Sequence, residues 1–193
     1  MFDLEKVVNF FFETGSLQKM QRSGNIFLGT GNQTVASHSF RVAIIAYVLS
    51  RILKADSYKV VITALFHDIE ESRTGDLNYL QQMYVKSEDE KALIDVIKDL
   101  PVEGEIKDFI KEYEGLNTLE SKIVKDADTL ELILFLKEEL DKGNNQAKNW
   151  IDTAKRRLIT NLAKELCLYI ENGHYYDWWY SIRNDWENGS KKW

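Results

Sequence analysis

The chain has 193 residues, 44% of them hydrophobic, which is enough for one sizeable core and near the usual size of one domain. A net charge of −6 and a pI near 5.2 argue against a surface built to neutralise a nucleic-acid polymer, which needs clustered Lys and Arg. Cys167 is the sole cysteine, so the chain forms neither an internal disulfide nor a cysteine-built metal knuckle, as suits a reducing compartment.

The N-terminal stretch carries acids among its apolar residues and lacks a basic n-region. The longest apolar run, Val42 to Leu49, is too short to span a bilayer. A soluble, cytoplasmic protein with no membrane role is therefore expected. Pro101 is the only proline, so long helices can run uninterrupted. Leu4, Val7, Val8 and Phe11 recur at helical spacing up to Gly15, and a polar, glycine-rich loop follows over 22–33. Thr34 to Leu53 reads as a core helix on Val35, Val42, Ile45, Ala46 and Leu49. Ser57 to Glu71 repeats the pattern through Val60, Val61, Ala64 and Leu65, with Gly75 as its stop.

A charged helix is predicted over 87–98, whose acidic start suits the helix dipole, and another over 104–113 beyond Pro101. Thr118 to Leu140 carries Ile123, Ala127, Leu130, Leu134 and Leu136, and Gly143 ends it. From Asn144 to Glu171 apolar residues recur without an evident break, up to Gly173. The last twenty residues hold four of the five tryptophans and read as a short helix packed back on the body, or as a dimer contact. No segment alternates with period two, so the expected fold is all-α, a single helical domain over 1–193 with its C-terminal helices, 144–193, against the body.

Three histidines exist, and two of them, His38 and His67, fall in or beside predicted core helices, an unusual place for an imidazole. His67 is followed by Asp68, and a later helix carries Asp126 and Asp128 in KDAD. Residues i and i+2 face nearly opposite sides of a helix, so one of these two aspartates can share a site with the histidines, and periodicity does not choose between them. Imidazole nitrogens and carboxylate oxygens suit a divalent ion such as Mn²⁺, Co²⁺, Fe²⁺ or Zn²⁺. Such a site with open positions activates water and polarises a phosphoryl oxygen, which is the chemistry of a hydrolase. On a helix continuing past His67, Glu71 would lie over the same face and Glu70 would point to the surface.

The stretches TVASHSFRVA (34–43), ALFHDIEESRTGDL (64–77) and IVKDADTLELIL (123–134) resemble the HD-domain family, and within it the small 5′-deoxynucleotidase branch. The resemblance covers about 18–140. It implies an all-α, usually dimeric enzyme with one divalent ion, releasing phosphate from nucleoside 5′-monophosphates. Matched residue by residue, it assigns the metal ligands to His38, His67, Asp68 and Asp128, leaving Asp126 to a solvated helix face. It assigns acid–base work to Glu71 and a place near the phosphate to Asp76, which local sequence equally well reads as a helix cap. Arg22 matches the family's phosphate-gripping arginine. Arg41 reads as a salt-bridge partner, Glu112 and Glu114 as support for the site, and His174 as structural.

Two positions depart from the family. Ser37 stands where a Glu often precedes the first His, so that Glu's bond must be absent or replaced. Ser23 stands where some members carry a tryptophan that shapes the preference for deoxyribose. The sequence leaves two alternatives standing: an HD protein that senses nucleotides without turnover, or one acting on an alarmone or cyclic nucleotide. Magnesium is also an admissible ion.

Overall fold

The computed structural model describes residues 3–180. Its helices are α1 (Leu4–Ser16), α2 (Asn25–Leu28), α3 (Val35–Leu53), α4 (Ser57–Phe66), α5 (Glu71–Thr74), α6 (Tyr79–Gln82), α7 (Asp89–Ile97), α8 (Glu103–Gly115), α9 (Leu119–Asp141), α10 (Gln146–Ala154), α11 (Asn161–Asn172) and α12 (Asp177–Tyr180), with a 3₁₀ turn at Lys155–Arg157. Among the described residues there is no strand, only an isolated bridge between Gln21 and Thr34, so the fold is all-α as expected.

Short polar side chains set the helix starts by accepting N–H groups that have no partner within the helix. Asp3 accepts from Glu5 and Lys6, Asp56 from Lys59, and Thr160 from Ala163. Thr34 and Thr118 form reciprocal capping boxes with Ser37 and Ser121. Ser37 is thus committed to the end of α3.

The long helix α9 packs against α3, α4, α8, α10 and α11, and this burial explains why it reads as apolar on most sides. Val42, Ala46 and Leu49 of α3, Val60 and Ala64 of α4, and Ile123, Leu130 and Ile133 of α9 meet in one core. A second cluster, with Val35, Ile69, Leu93, Ile97, Ile106 and Ile110, lies under α7 and α8. By length and composition alone α3 is apolar enough to cross a membrane, but here its buried face forms part of the first core.

Two predicted segments are interrupted. The helix from Ser57 ends at Phe66, and a tighter turn leads into α5: the N–H groups of Ile69, Glu71, Ser72 and Arg73 each bond to the carbonyl three residues back, before Thr74 and Gly75 return to bonds four residues back. The 144–171 segment is split by the 3₁₀ turn and an extended Leu158. Its break needs no Gly or Pro, because Asp126 of α9 accepts the N–H groups of Ile159 (2.6 Å) and Thr160 (2.8 Å). Asp126 is fully buried, which corrects the solvated face expected for it. The C-terminal tail is described as far as Tyr180: the Tyr175 N–H bonds to Asp141, and the His174 ring lies 3.7 Å from that of Tyr176, a structural placement as expected. The other tryptophan-bearing positions of the tail, in 181–193, lie outside the described residues.

Replacing Asp126 strands two partly buried N–H groups at the start of α11. Asp126→Ala should lower unfolding free energy by roughly 2–4 kcal/mol, with Asp126→Asn less affected, as read by urea denaturation. A loss under 0.5 kcal/mol for the alanine variant would contradict this role.

Candidate active site

α3, the end of α4 and α9 each deliver one element of a buried cluster. His38 Nε2 lies 3.3 Å from Asp128 Oδ1 and 3.7 Å from Asp68 Oδ2, and His67 Nε2 lies 3.3 Å from the same Asp68 oxygen. Ligand atoms of His38, His67 and Asp128 all fall within 4.8 Å of one another. The four predicted metal ligands are therefore brought together.

The outer nitrogens fix how the rings point. His67 Nδ1 donates to the Ala64 carbonyl at 2.8 Å, and His38 Nδ1 pairs with Glu131 Oε2 at 2.5 Å. Both rings thus turn Nε2 inward, and both of these atoms are buried without a hydrogen-bond partner. Two orphaned imidazole nitrogens beside two carboxylates form a donor set that fits a divalent cation.

Burial disfavours charge on His38, yet the carboxylates of Asp128 and Glu131 beside it outweigh this and raise its pKa to about 9. Burial also works against the Asp128 carboxylate, but His38 and Lys125, whose Nζ is 2.9 Å away, hold its pKa well below the usual range. Burial raises Glu70 to about 8 and Glu71 to about 9, with Asp68 adding to both. Glu70 and Glu71 thus hold their protons chiefly because they are buried, whereas Asp128 beside His38 and Lys125 does not.

Through the tight turn between α4 and α5 the Glu71 N–H bonds to the Asp68 carbonyl, and the Asp68 carboxylate is the acid that acts most strongly on Glu71. Glu70 is not on the surface as expected: it lines the same cavity, and its Oε2 is buried without a partner.

Arg22 reaches in from the loop before α2. Its Nη1 lies 3.2 Å from Asp68 Oδ2, and its Nε lies 3.6 Å from Asp76 Oδ2. Asp76 also accepts the Ser23 N–H at 3.0 Å, so it holds the Arg22 loop; the cap of α6 is Asn78. Arg22, Asp68, Glu71, Asp76 and Asp128 all line one cavity of about 500 Å³.

Sequence reasoning missed Glu131. It is fully buried and accepts from Gln33 Nε2 (2.6 Å) and Arg41 Nε (2.8 Å) besides its contact with His38. A lone acid in the apolar run LELILFL was the available signal. Arg41 pairs with Glu131 and Glu138, as expected of a salt-bridge residue. In KEYEG the residue that meets the site is Tyr113, edge-on to His67 at 6.0 Å. Glu112 instead pairs with Lys59 and Thr118, and Glu114 is exposed. The charges at 112 and 114 drew attention, and the aromatic between them carries the contact.

Comparison with known proteins agrees with this geometry. A family model described as HD domain matches residues 14–167, wider at both ends than the motifs alone suggested. The 5′-deoxynucleotidase HDDC2 of Dictyostelium discoideum is 28% identical over 188 residues, covering 88% of this chain and 98% of that protein. The 5′-deoxynucleotidase of Erwinia tasmaniensis is 30% identical, covering 80% of this chain and 83% of its own length. A solved structure of a conserved hypothetical protein from Pyrococcus furiosus superposes with a TM-score of 0.70 at 28% identity, over 86% of this chain and 99% of that one. A match over most of the chain, with the two histidines and two aspartates of its motifs converging on one cluster, makes this protein a member of the HD-domain family.

Proposed function

We propose that the protein is a metal-dependent phosphomonoesterase that hydrolyses nucleoside 5′-monophosphates, deoxynucleotides among them, to nucleoside and phosphate. The observation that carries this is the pair of buried, unpartnered Nε2 atoms of His38 and His67 beside Asp68 and Asp128, at a cavity that also receives Arg22. The relatives named 5′-deoxynucleotidase support the substrate class.

His38, His67, Asp68 and Asp128 would hold one divalent ion, Mn, Co, Fe, Zn or Mg. Such an ion supplies Lewis acidity toward water and toward a phosphoryl oxygen. Arg22 would grip the phosphate, its planar fork meeting two oxygens at once, while Asp76 keeps its loop in place. Glu71 holds a proton near neutral pH, because burial and its acidic neighbours raise its pKa, and would give that proton to the leaving 5′-oxygen. Glu131 would hold the His38 ring in register from behind.

A homodimer belongs to the same proposal. On its outward side α3 exposes Phe40, Ile44, Tyr47, Val48 and Ile52 at helical spacing, and a contiguous apolar strip of this kind marks a protein contact, here with a second copy.

Purified protein with Mn²⁺ or Co²⁺ should release phosphate from 5′- but not 3′-monophosphates. Asp68→Ala should lose both bound metal and activity, and Glu71→Gln should keep the metal while its kcat falls about 100-fold or more. No phosphate from any nucleotide, with melting temperature still raised by one, would replace the enzyme with a nucleotide sensor. Glu131→Gln, which keeps the side chain's size, should weaken metal affinity about 10- to 100-fold by competition titration; unchanged affinity would remove its role. Sedimentation equilibrium should give twice the 22.5 kDa chain mass for the wild type and a monomer for Ile44→Glu, and a monomeric wild type would sink the dimer.

A further inference from the structure

The cavity changes character along its length, and α9 runs beside it as a ruler. Asp128 stands at the histidine end; Leu132, Phe135 and Leu136 follow at i+4, i+7 and i+8 on the same helix face, and all line the cavity. At 1.5 Å of rise per residue, Phe135 lies about 10 Å along the axis from Asp128. A cavity of about 500 Å³ with a charged end and an apolar end is larger than a phosphate group needs.

Trp150 of α10 lines this cavity too. It is partly buried and packs on the first core, so its ring is held in place. It also stands against the Arg22 loop: a Cβ added to Gly24 would come 3.9 Å from the indole ring. The ring therefore borders the loop that carries the arginine proposed for the phosphate, and both line the one cavity. Two side-chain amides on the cavity wall, Asn25 Nδ2 and Asn78 Nδ2, are buried without a partner, and Asn78 is only 7% exposed. Unpartnered buried donors of this kind suit the acceptor atoms of a sugar or base.

Resting on the phosphohydrolase function proposed above, we infer that Trp150 is the platform on which the substrate's nucleobase stacks, so that it positions the nucleoside and governs KM rather than kcat. Ser23 follows Arg22 in sequence with no aromatic ring of its own, and Trp150 brings one to the same loop from α10.

Base-on-aromatic stacking is strong enough for its loss to be read as about tenfold or more in affinity. Kinetics with dAMP and with 2-deoxyribose 5-phosphate, which has no base, test this in the wild type alone: the base-less phosphate should have a KM about tenfold higher, and equal KM values would overturn the inference. Trp150→Leu keeps apolar bulk without a broad ring. It should raise the dAMP KM about tenfold at nearly constant kcat, leave kcat/KM for 2-deoxyribose 5-phosphate unchanged, and be largely rescued in Trp150→Phe. Parallel losses on both phosphates, or no change with dAMP, would overturn it. Calorimetric binding of 2′-deoxyadenosine requires no hydrolysis and separates the two claims. If the wild type releases phosphate from neither compound, the phosphohydrolase assignment fails. The platform then stands if 2′-deoxyadenosine binds about tenfold more weakly to Trp150→Leu, and falls if the affinities are equal or the wild type does not bind it.

Discussion

The buried contact between His38 Nδ1 and Glu131 is the constraint on which the rest of the centre depends. An imidazole pinned by a carboxylate on one edge presents its opposite nitrogen in a fixed direction, and that direction is toward Asp68 and Asp128. Glu131 is itself held by Gln33 and Arg41, so one side chain ties the loop before α3, α3 and α9 together. That loop approaches closely at Gly31. With φ at +88° and Phe135 2.4 Å from where a Cβ would stand, any other residue there would be strained and would press on α9. A charge buried this deeply is tolerable because all of its partners are polar and pre-positioned.

α9 carries three buried or half-buried acids with separate tasks. Asp126 stops the 144–171 segment by taking two N–H groups, Asp128 faces the histidines, and Glu131 braces one of them. Their positions within six residues distribute them around the helix, so α9 can satisfy all three in only one rotation about its axis. The tight turn between α4 and α5 plays the matching part on the other side, carrying both Asp68 and Glu71 to the cavity.

The all-α fold, the helix starts at capping residues, and the convergence of His38, His67, Asp68 and Asp128 were legible in the sequence. Each rests on local spacing or on a motif of fixed order. What was not legible depended on distant partners. Asp126 looks like a solvent-facing acid until the N–H groups of Ile159 and Thr160 arrive from 33 and 34 residues away, and the same contact creates a helix break that no Gly or Pro announces. The departure from α-helical winding after Phe66 has no composition signal either, and it moved Glu70 from the expected surface into the cavity. Glu131 was missed for the same reason: its partners His38, Arg41 and Gln33 stand 90 or more positions earlier in the chain.

The two ends of the cavity are built from largely separate parts. The clustered His and Asp side chains come from α3, the α4–α5 turn and one face of α9, whereas Trp150 stands on the much shorter α10. A change on α10 would therefore alter what surrounds the far end of a bound ester while leaving the His and Asp side chains on their own helices.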